Sequence, residues 1–382
     1  MDRKDDYLMY PKYGSVKTDW PNLAARTMIN REPNMNPKGQ WAYEDGLMLN
    51  GMYAIYKSTG NVRYLQYIQD NLDRFITDQG QIKGYHYGEF SLDQINNGKA
   101  ILDLYEETHQ NKYKIAATTL YKQLLNQPRT AGGIFWHKKM YPYQVWLDGL
   151  YMGAVFYARY QKLFGIQDRL DDVMAQFLGA YQVTHDDKTG LCYHAYDEKH
   201  QQSWANKDTG HSPHFWTRSI GWFVMAMVDV LEYLPEISPE RAQILDNLKV
   251  LLDALRKVAE PITCLWYQIT DEGERPMNYL ESSGSFMILN ALAKALRKGY
   301  LSETDWGDFL DEAYPNALKQ FVSTDQHQNV NVNKVVYTCG LGGARNRDGS
   351  FAYYISEPVV VNDHKGMGAF LMLSNEMKYR FE

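Results

Sequence analysis

One frame occurs twice in this chain at a separation of about 50 residues, and that repeat limits the possible folds more than any other feature. Tyr56-Lys-Ser-Thr59-Gly60-Asn-Val-Arg-Tyr64 and Tyr105-Glu-Glu-Thr108-His-Gln-Asn-Lys-Tyr113 share Tyr-x-x-Thr-x-x-x-x-Tyr, and Tyr160-Gln-Lys-Leu-Phe-Gly165 is a looser version. Each copy lies between an apolar helix-like stretch and an amphipathic one, so the repeating unit is a pair of helices. One helix type is apolar nearly all round, as in Gly221-Trp-Phe-Val-Met-Ala-Met-Val-Asp-Val-Leu231, and is expected to be covered on both sides. The other carries one apolar stripe, as at Ile244, Leu248, Leu251, Leu252 and Leu255, opposite Asp246, Asn247, Lys249, Asp253, Arg256 and Lys257.

The buried type begins near residues 41, 92, 143, 218, 283 and 366, and the striped type near 18, 62, 112, 167, 239 and 303. Six buried helices ringed by six amphipathic ones predict an all-α (α/α)6 barrel. An open solenoid would need polar capping helices at its ends. The last helix, Gly366-Met-Gly-Ala-Phe-Leu-Met-Leu373, is too apolar for a cap, which favours closure onto the first pair. A barrel of this size uses the whole chain, residues 1–382, as one catalytic domain. Two connections are long: residues 182–217, rich in His, Asp, Gly and Trp, and residues 325–365. The second holds Asn329-Val-Asn-Val-Asn-Lys-Val-Val-Tyr337 and Ser356-Glu-Pro-Val-Val-Val361, which predict short strands. Long ordered loops on a rigid scaffold commonly build a site.

Composition narrows the function. A net charge of −6 without any Lys/Arg-rich run argues against nucleic acid as a partner. Cys192, Cys264 and Cys339 lack metal-ligand spacing, so neither a zinc site nor a disulfide framework is expected. The opening Met1-Asp-Arg-Lys-Asp-Asp6 has no apolar signal region, and no apolar run approaches the roughly 20 residues of a membrane span, so the chain reads as cytoplasmic. Aromatic residues are abundant, with 30 Tyr, 14 Phe and 9 Trp. Tyr and Trp offer flat apolar faces with a polar edge, which suits sugar rings, although most of the tyrosines are expected between helices.

Unusual residues open the buried helices: Trp41-Ala-Tyr43-Glu44-Asp45-Gly46, Ser91-Leu-Asp93-Gln-Ile-Asn96, Trp146 and Asp148 after Pro142, then Phe215-Trp216-Thr-Arg218 with Trp222 one turn on. If these helices run the same way, the groups converge on one mouth of the barrel, where helix N-termini favour an anionic ligand. Singly, each has a plain structural explanation. An aspartate at a helix start gains about 0.3–1 kcal/mol from the dipole alone, Trp146 and Trp222 can be core, and His137, His194 and Arg218 can be satisfied loop residues. Packing gives no reason to gather them at one end. For Asp148 the helix dipole favours the carboxylate, whereas a general acid needs its proton near neutral pH. Desolvation by Trp146 and a second negative group at Asp93 would oppose the dipole, a pairing that suits acid/base chemistry.

These residues resemble the unsaturated rhamnogalacturonyl hydrolases of glycoside hydrolase family 105. The resemblance covers nearly the whole chain and rests on Trp41-Ala-Tyr-Glu44, Leu92-Asp93-Gln-Ile-Asn96, Trp146-Leu-Asp-Gly-Leu-Tyr-Met-Gly153, Gly190-Leu-Cys-Tyr-His194-Ala-Tyr-Asp197, Ser212-Pro-His-Phe-Trp-Thr-Arg-Ser-Ile-Gly-Trp222 and Gly349-Ser-Phe-Ala-Tyr-Tyr-Ile-Ser-Glu-Pro358. It implies an enzyme of pectin degradation acting on anionic oligosaccharides that carry a 4,5-unsaturated uronic acid at the non-reducing end. It further implies that Asp148 protonates C4 and assists water attack at C5, with Asp93 as the second carboxylate and rhamnose as the sugar released. Tyr43, His137, Lys138, Trp146, His194, Trp216, Arg218 and Trp222 would bind substrate, Arg218 gripping the uronate bidentately and the tryptophans stacking on sugars. No metal or organic cofactor is implied. The sequence departs from the family pattern at Thr217 and Ile220, where smaller residues are usual. Three other readings share parts of this pattern: an unsaturated glucuronyl hydrolase acting on glycosaminoglycan fragments, a conventional inverting glycosidase using paired carboxylates, and an inactive sugar-binding protein.

Overall fold

The computed structural model describes residues 11–381 apart from 167, 344 and 346, so the opening segment Met1–Asp6 lies outside the described residues. Its helices are α1 (Trp20–Arg31), α2 (Tyr43–Thr59), α3 (Val62–Asp73), α4 (Gly98–Thr108), α5 (Asn111–Leu125), α6 (Val155–Leu163), α7 (Leu170–Thr184), α8 (Thr217–Val230), α9 (Pro239–Val258), α10 (Ser282–Arg297), α11 (Glu303–Phe321), the short α12 (Phe351–Ser356) and α13 (His364–Phe381). The expected alternation is present. In α9 the stripe Ile244, Leu248, Leu251, Leu252 and Leu255 is buried, whereas α8 and α10 are buried along almost their entire length. Helices α2, α4, α6, α8, α10 and α13 form the inner wall of an (α/α)6 barrel, and α1, α3, α5, α7, α9 and α11 surround it. Among the described residues no helix is long and apolar enough to cross a membrane.

The repeated frame is the corner joining an inner helix to its outer partner. Gly60 and His109 are left-handed (φ 67° and 54°), and their N–H groups donate to the carbonyls of Tyr56 and Tyr105, each at 2.8 Å. This closes the helix C-terminus in the way that a left-handed cap does. The Thr59 and Thr108 hydroxyls donate to Ile55 O (2.7 Å) and Leu104 O (2.6 Å) in the last turn. The final tyrosine of each frame then ties the next outer helix to the one before it. Tyr64 donates to Asn22 Oδ1 at 2.7 Å, and Tyr113 to Asp73 Oδ1 at 2.8 Å.

The ring closes as the apolar last helix required. A Cβ on Gly368 of α13 would stand 2.8 Å from Leu47 Cγ and 3.0 Å from the Leu47 and Met48 backbone of α2. Reciprocally, a Cβ on Gly51 of α2 would stand 3.2 Å from Gly368 O. Ser58 donates to Asn375 Oδ1 at 2.7 Å, and Trp20 of α1 meets Phe370 edge-on at 6.3 Å. Gly368→Ala is therefore expected to cost about 1–3 kcal/mol through overpacking, read as a lowered urea midpoint. An unchanged midpoint would mean that the α2–α13 seam yields freely.

Two inner helices start later than the sequence pattern predicts. Residues 144–146 are not helix but β1 (Gln144–Trp146), paired antiparallel with β2 (Ala195–Asp197). A short apolar run reads equally as buried helix or buried strand, and here the second strand comes from the long 182–217 connection. Asp93–Ile95 is a 3-10 turn, and α4 proper begins only at Gly98. Asn96 Nδ2 and Asn97 Nδ2 donate to Tyr43 O (2.7 Å) and Ala42 O (3.1 Å), pinning that turn to the start of α2. The predicted strands near the C-terminus are present as β4 (Val330–Val332), β5 (Val335–Val336) and β6 (Val359–Val360); β5 pairs with β6, whereas β4 pairs with β3 (Val322–Thr324), which lies before the segment expected to hold strands. Helix α12 within that segment was not anticipated. A second apolar cluster, separate from the barrel core, joins Trp146, Trp204, Trp216, Val336, Phe351 and Tyr354, all from the loops and helix starts at one end. The loops thus form a packed cap around the barrel mouth.

Candidate active site

Asp93 and Asp148 reach this mouth on two elements pressed together. Leu92 N donates to His137 O (3.0 Å), His137 N to Gln144 O (2.9 Å), and Leu147 N to His194 O (3.2 Å). Gly149 permits the approach, because a Cβ there would stand 2.9 Å from Leu92 Cδ1 and 3.3 Å from His137 Nδ1. After Asp148 and Gly149 the helix widens into a π-turn, Leu150–Ala154, before settling into α6. Such π-turns are rare inside helices and concentrate at functional sites.

The two carboxylates have opposite surroundings. Asp93 Oδ1 lies 3.3 Å from His137 Nε2, and Oδ2 is in close ion-pair contact with Lys138 Nζ. Burial alone would raise the Asp93 pKa, but Lys138, through its charge and its hydrogen bond, together with the neighbouring His137, outweighs it and holds the carboxyl below its ordinary range. His137 is buried, and desolvation, opposed by Asp93, brings its pKa down to about 4, so the ring is neutral at physiological pH. Asp148, by contrast, has an Oδ2 with no hydrogen-bond partner among the described residues, 3.5 Å from His194 Nε2. His194 is fully buried and is oriented through Nδ1 by the Tyr354 hydroxyl at 2.7 Å. Asp93 therefore does not act on Asp148 as the bare second charge that the sequence suggested, since Lys138 compensates it.

Trp146 stands between the two halves. His137 stacks on it (4.8 Å, 8°), as does Tyr141 (5.1 Å, 8°), and His194 meets it edge-on at 5.2 Å. With 5% exposure for Trp146 and 1% each for Trp216 and Trp222, these rings have protein neighbours where sugar platforms were expected. Trp216 lies 4.6 Å from the His194 ring, and Trp222 contacts Tyr151 (4.8 Å) and Tyr43 (6.4 Å) inside the barrel. They wall and stiffen the site.

Arg218 also differs from expectation. It is buried, its Nη1 donates to Val336 O and Ser283 Oγ, its Nη2 donates to Tyr337 O, and its Nε has no partner among the described residues. The fork that would grip a uronate is already engaged with the backbone around β5. Glu281 completes this anchor: it caps α10 through Ser283 N (3.1 Å) and Gly284 N (2.7 Å) and accepts from Val336 N (3.1 Å). The departures at Thr217 and Ile220 do not face the mouth. Both are wholly buried, and the Thr217 hydroxyl bonds Tyr267 O and Thr270 Oγ1. Tyr43 opens α2 at the mouth. Desolvation first, then Glu44, Asp93 and Asp148 against Arg218, raise its pKa far above the ordinary phenol value, so the hydroxyl stays protonated. Tyr43 thus lies within electrostatic reach of Asp93, Asp148 and Arg218.

Sequence reasoning missed Tyr354, Tyr141 and Glu281. Tyr354 sits within the quoted Gly349–Pro358 segment, but only α12 reveals that its hydroxyl faces His194.

A helical barrel with two differently held carboxylates among aromatic and basic side chains defines the class, a glycoside hydrolase. The chain belongs to Glycosyl Hydrolase Family 88, whose model matches residues 20–381. The structure of a glycoside hydrolase from family 105 of C. acetobutylicum ATCC 824 superposes with a TM-score of 0.92 at 45% identity, covering 95% of this chain and 100% of that one. The unsaturated rhamnogalacturonyl hydrolase YesR of Bacillus subtilis (strain 168) is 28% identical over 258 residues, 66% of this chain and 70% of that protein. The unsaturated glucuronyl hydrolase from Bacillus sp. GL1 shares the fold, with a TM-score of 0.67 at 14% identity over 92% of this chain and 93% of that one.

Lys138→Met is expected to leave the burial of Asp93 opposed by His137 alone and to raise its pKa. The acid limb of the kcat/KM profile should then move up by about one pH unit. An acid limb that stays in place would separate Asp93 from the pH dependence.

Proposed function

We propose that this enzyme hydrates the 4,5 double bond of an unsaturated galacturonic acid at the non-reducing end of a pectin fragment and so releases rhamnose. The observation that carries this reading is the asymmetry of the carboxylates. Asp148 has a bare oxygen beside His194, whereas Asp93 is locked to Lys138 and His137. Asp148 in its acid form delivers a proton to C4 of the enol ether, then takes a proton from the water whose oxygen bonds to C5. The resulting hemiketal opens to a ketone at C5, and the hemiacetal this exposes at C1 expels the next sugar. Asp93, held by its ion pair with Lys138, orients substrate.

Support for a rhamnogalacturonan-derived substrate comes from the unsaturated rhamnogalacturonyl hydrolase YesR, while the family 105 relative, similar along nearly the whole chain, supports the family alone. Unsaturated uronides absorb in the ultraviolet and hydration removes the band. Turnover is followed as that loss on lyase-generated rhamnogalacturonan and chondroitin disaccharides. Cleavage of a saturated glycoside with no loss on any unsaturated one would overturn the proposal in favour of an ordinary glycosidase.

A further inference from the structure

A cleft of about 760 Å³ opens beside Asp93, between the start of α2 and the segment Lys138–Met140. That volume exceeds one sugar ring and is in the range of small-ligand sites. Three carboxylates and two lysines line it: Glu44, Glu89, Asp93, Lys138 and Lys139. Lys138 is consumed by Asp93, and Lys139 is exposed, its Nζ 6.0 Å from the Phe90 ring centroid. Glu44 and Glu89 remain without an ion pair among the described residues. Glu89 is held in place: its Oε2 accepts from Gln94 Nε2 at 2.9 Å, Gln94 Oε1 accepts from His86 N at 3.0 Å, and Trp41 Nε1 donates to Gln94 O at 2.8 Å.

A carboxylate only accepts hydrogen bonds. Sugar hydroxyls can donate to it, whereas the oxygens of a sulfate or a second uronate only accept and carry like charge.

We infer that this cleft receives the leaving sugar and that Glu44 and Glu89 select an uncharged ring there over a sulfated or carboxylated one. The inference rests on the hydration reading above and adds the residues that choose the second sugar. A strictly neutral wall would accept both kinds of ring; an acidic one reads the difference through like-charge repulsion and through donors that a sulfate lacks.

The test uses the full chain and two unsaturated chondroitin disaccharides that share the same uronate and differ only in 6-O-sulfation of the second residue. Hydration is read as ultraviolet loss and expressed as kcat/KM. The expected preference for the unsulfated compound is about tenfold or more, narrowing in Glu44→Gln and Glu89→Gln and reversing toward the sulfated compound in Glu89→Lys. Glu89 is exposed at a turn, and thermal unfolding of the two Glu89 variants confirms that the fold is kept. Equal turnover of both disaccharides by the parent, equal inhibition of rhamnogalacturonan disaccharide hydration by both where neither is turned over, or a preference that Glu89→Lys leaves unchanged, overturns the selective cleft alone. Absence of hydration on these and on the rhamnogalacturonan disaccharide overturns the hydration reading, and this inference with it.

Discussion

Asp148→Asn is expected to fold as the parent does and to lose at least about 10³-fold in kcat on unsaturated disaccharides. The amide keeps the volume of the carboxyl, and the side chain is 15% exposed with an Oδ2 that bonds nothing among the described residues, so no structural partner there is lost. What disappears is the proton that C4 must receive and the base that must accept one from water. KM should change little, because the amide still fills the place beside His194 while making no interaction specific to the transition state. The corresponding change at Asp93 has a different signature. Asp93→Asn removes the counter-charge of Lys138 and disturbs His137 and, through it, Trp146, so KM and stability should move together with kcat. Ultraviolet progress curves and urea unfolding on the two variants separate the roles. Activity within tenfold of the parent in Asp148→Asn would transfer the proton chemistry to another group.

The barrel was legible in the sequence because its signal is periodic and long-range consistent. Each inner helix is apolar all round, each outer helix has one stripe, and the Tyr-x-x-Thr corner marks the junction between them by a local chemistry of caps and threonine hydroxyls. The mouth was legible as a location, since helix starts gather whatever they carry. The partners at that location were not legible. Nothing in Gln144-Val-Trp announces a strand, because its pairing partner lies in a loop some fifty residues on. Likewise, the commitment of Arg218 to the carbonyls of Val336 and Tyr337 depends on β5, more than a hundred residues downstream. The burial of Trp146 and Trp216 depends on Phe351 and Tyr354 in the same way. Residue type and spacing locate a functional group; which of its faces and hydrogen-bonding atoms are already occupied is decided by non-local packing.

His364→Gln is expected to cost about 3 kcal/mol at pH 6 through the loss of a buried double ion pair at the barrel seam. His364 is the first residue of α13. Its Nε2 lies 2.8 Å from Glu32 Oε2 at the end of α1, and its Nδ1 lies 2.9 Å from Asp45 Oδ1 in the first turn of α2. Burial would lower the imidazole pKa, but the hydrogen bonds and charges of Asp45 and Glu32 prevail and raise it to about 10. A raised pKa stabilises the fold fully below the ordinary histidine value of 6.5, and that contribution is lost as pH climbs toward 10. Glu32 has the opposite sign. The His364 hydrogen bond, against desolvation, lowers its pKa, so its share is present above the ordinary value of 4.5 and is lost as pH falls further. The clamp is therefore strongest between about pH 4.5 and 6.5, where the histidine is charged in both states and the glutamate is ionised in both. Glutamine can bond one carboxylate but brings no charge, leaving Glu32 and Asp45 facing each other across the seam. Urea unfolding of parent and variant at pH 6, 8 and 10 should show a gap that is widest at pH 6 and shrinks steadily as the pH rises from the unfolded imidazole pKa of 6.5 toward the folded one of about 10. A gap that is constant with pH would assign the effect to packing at the α1–α2–α13 junction, and no gap at all would mean that the barrel closes through Gly51, Gly368 and their apolar neighbours without help from charge.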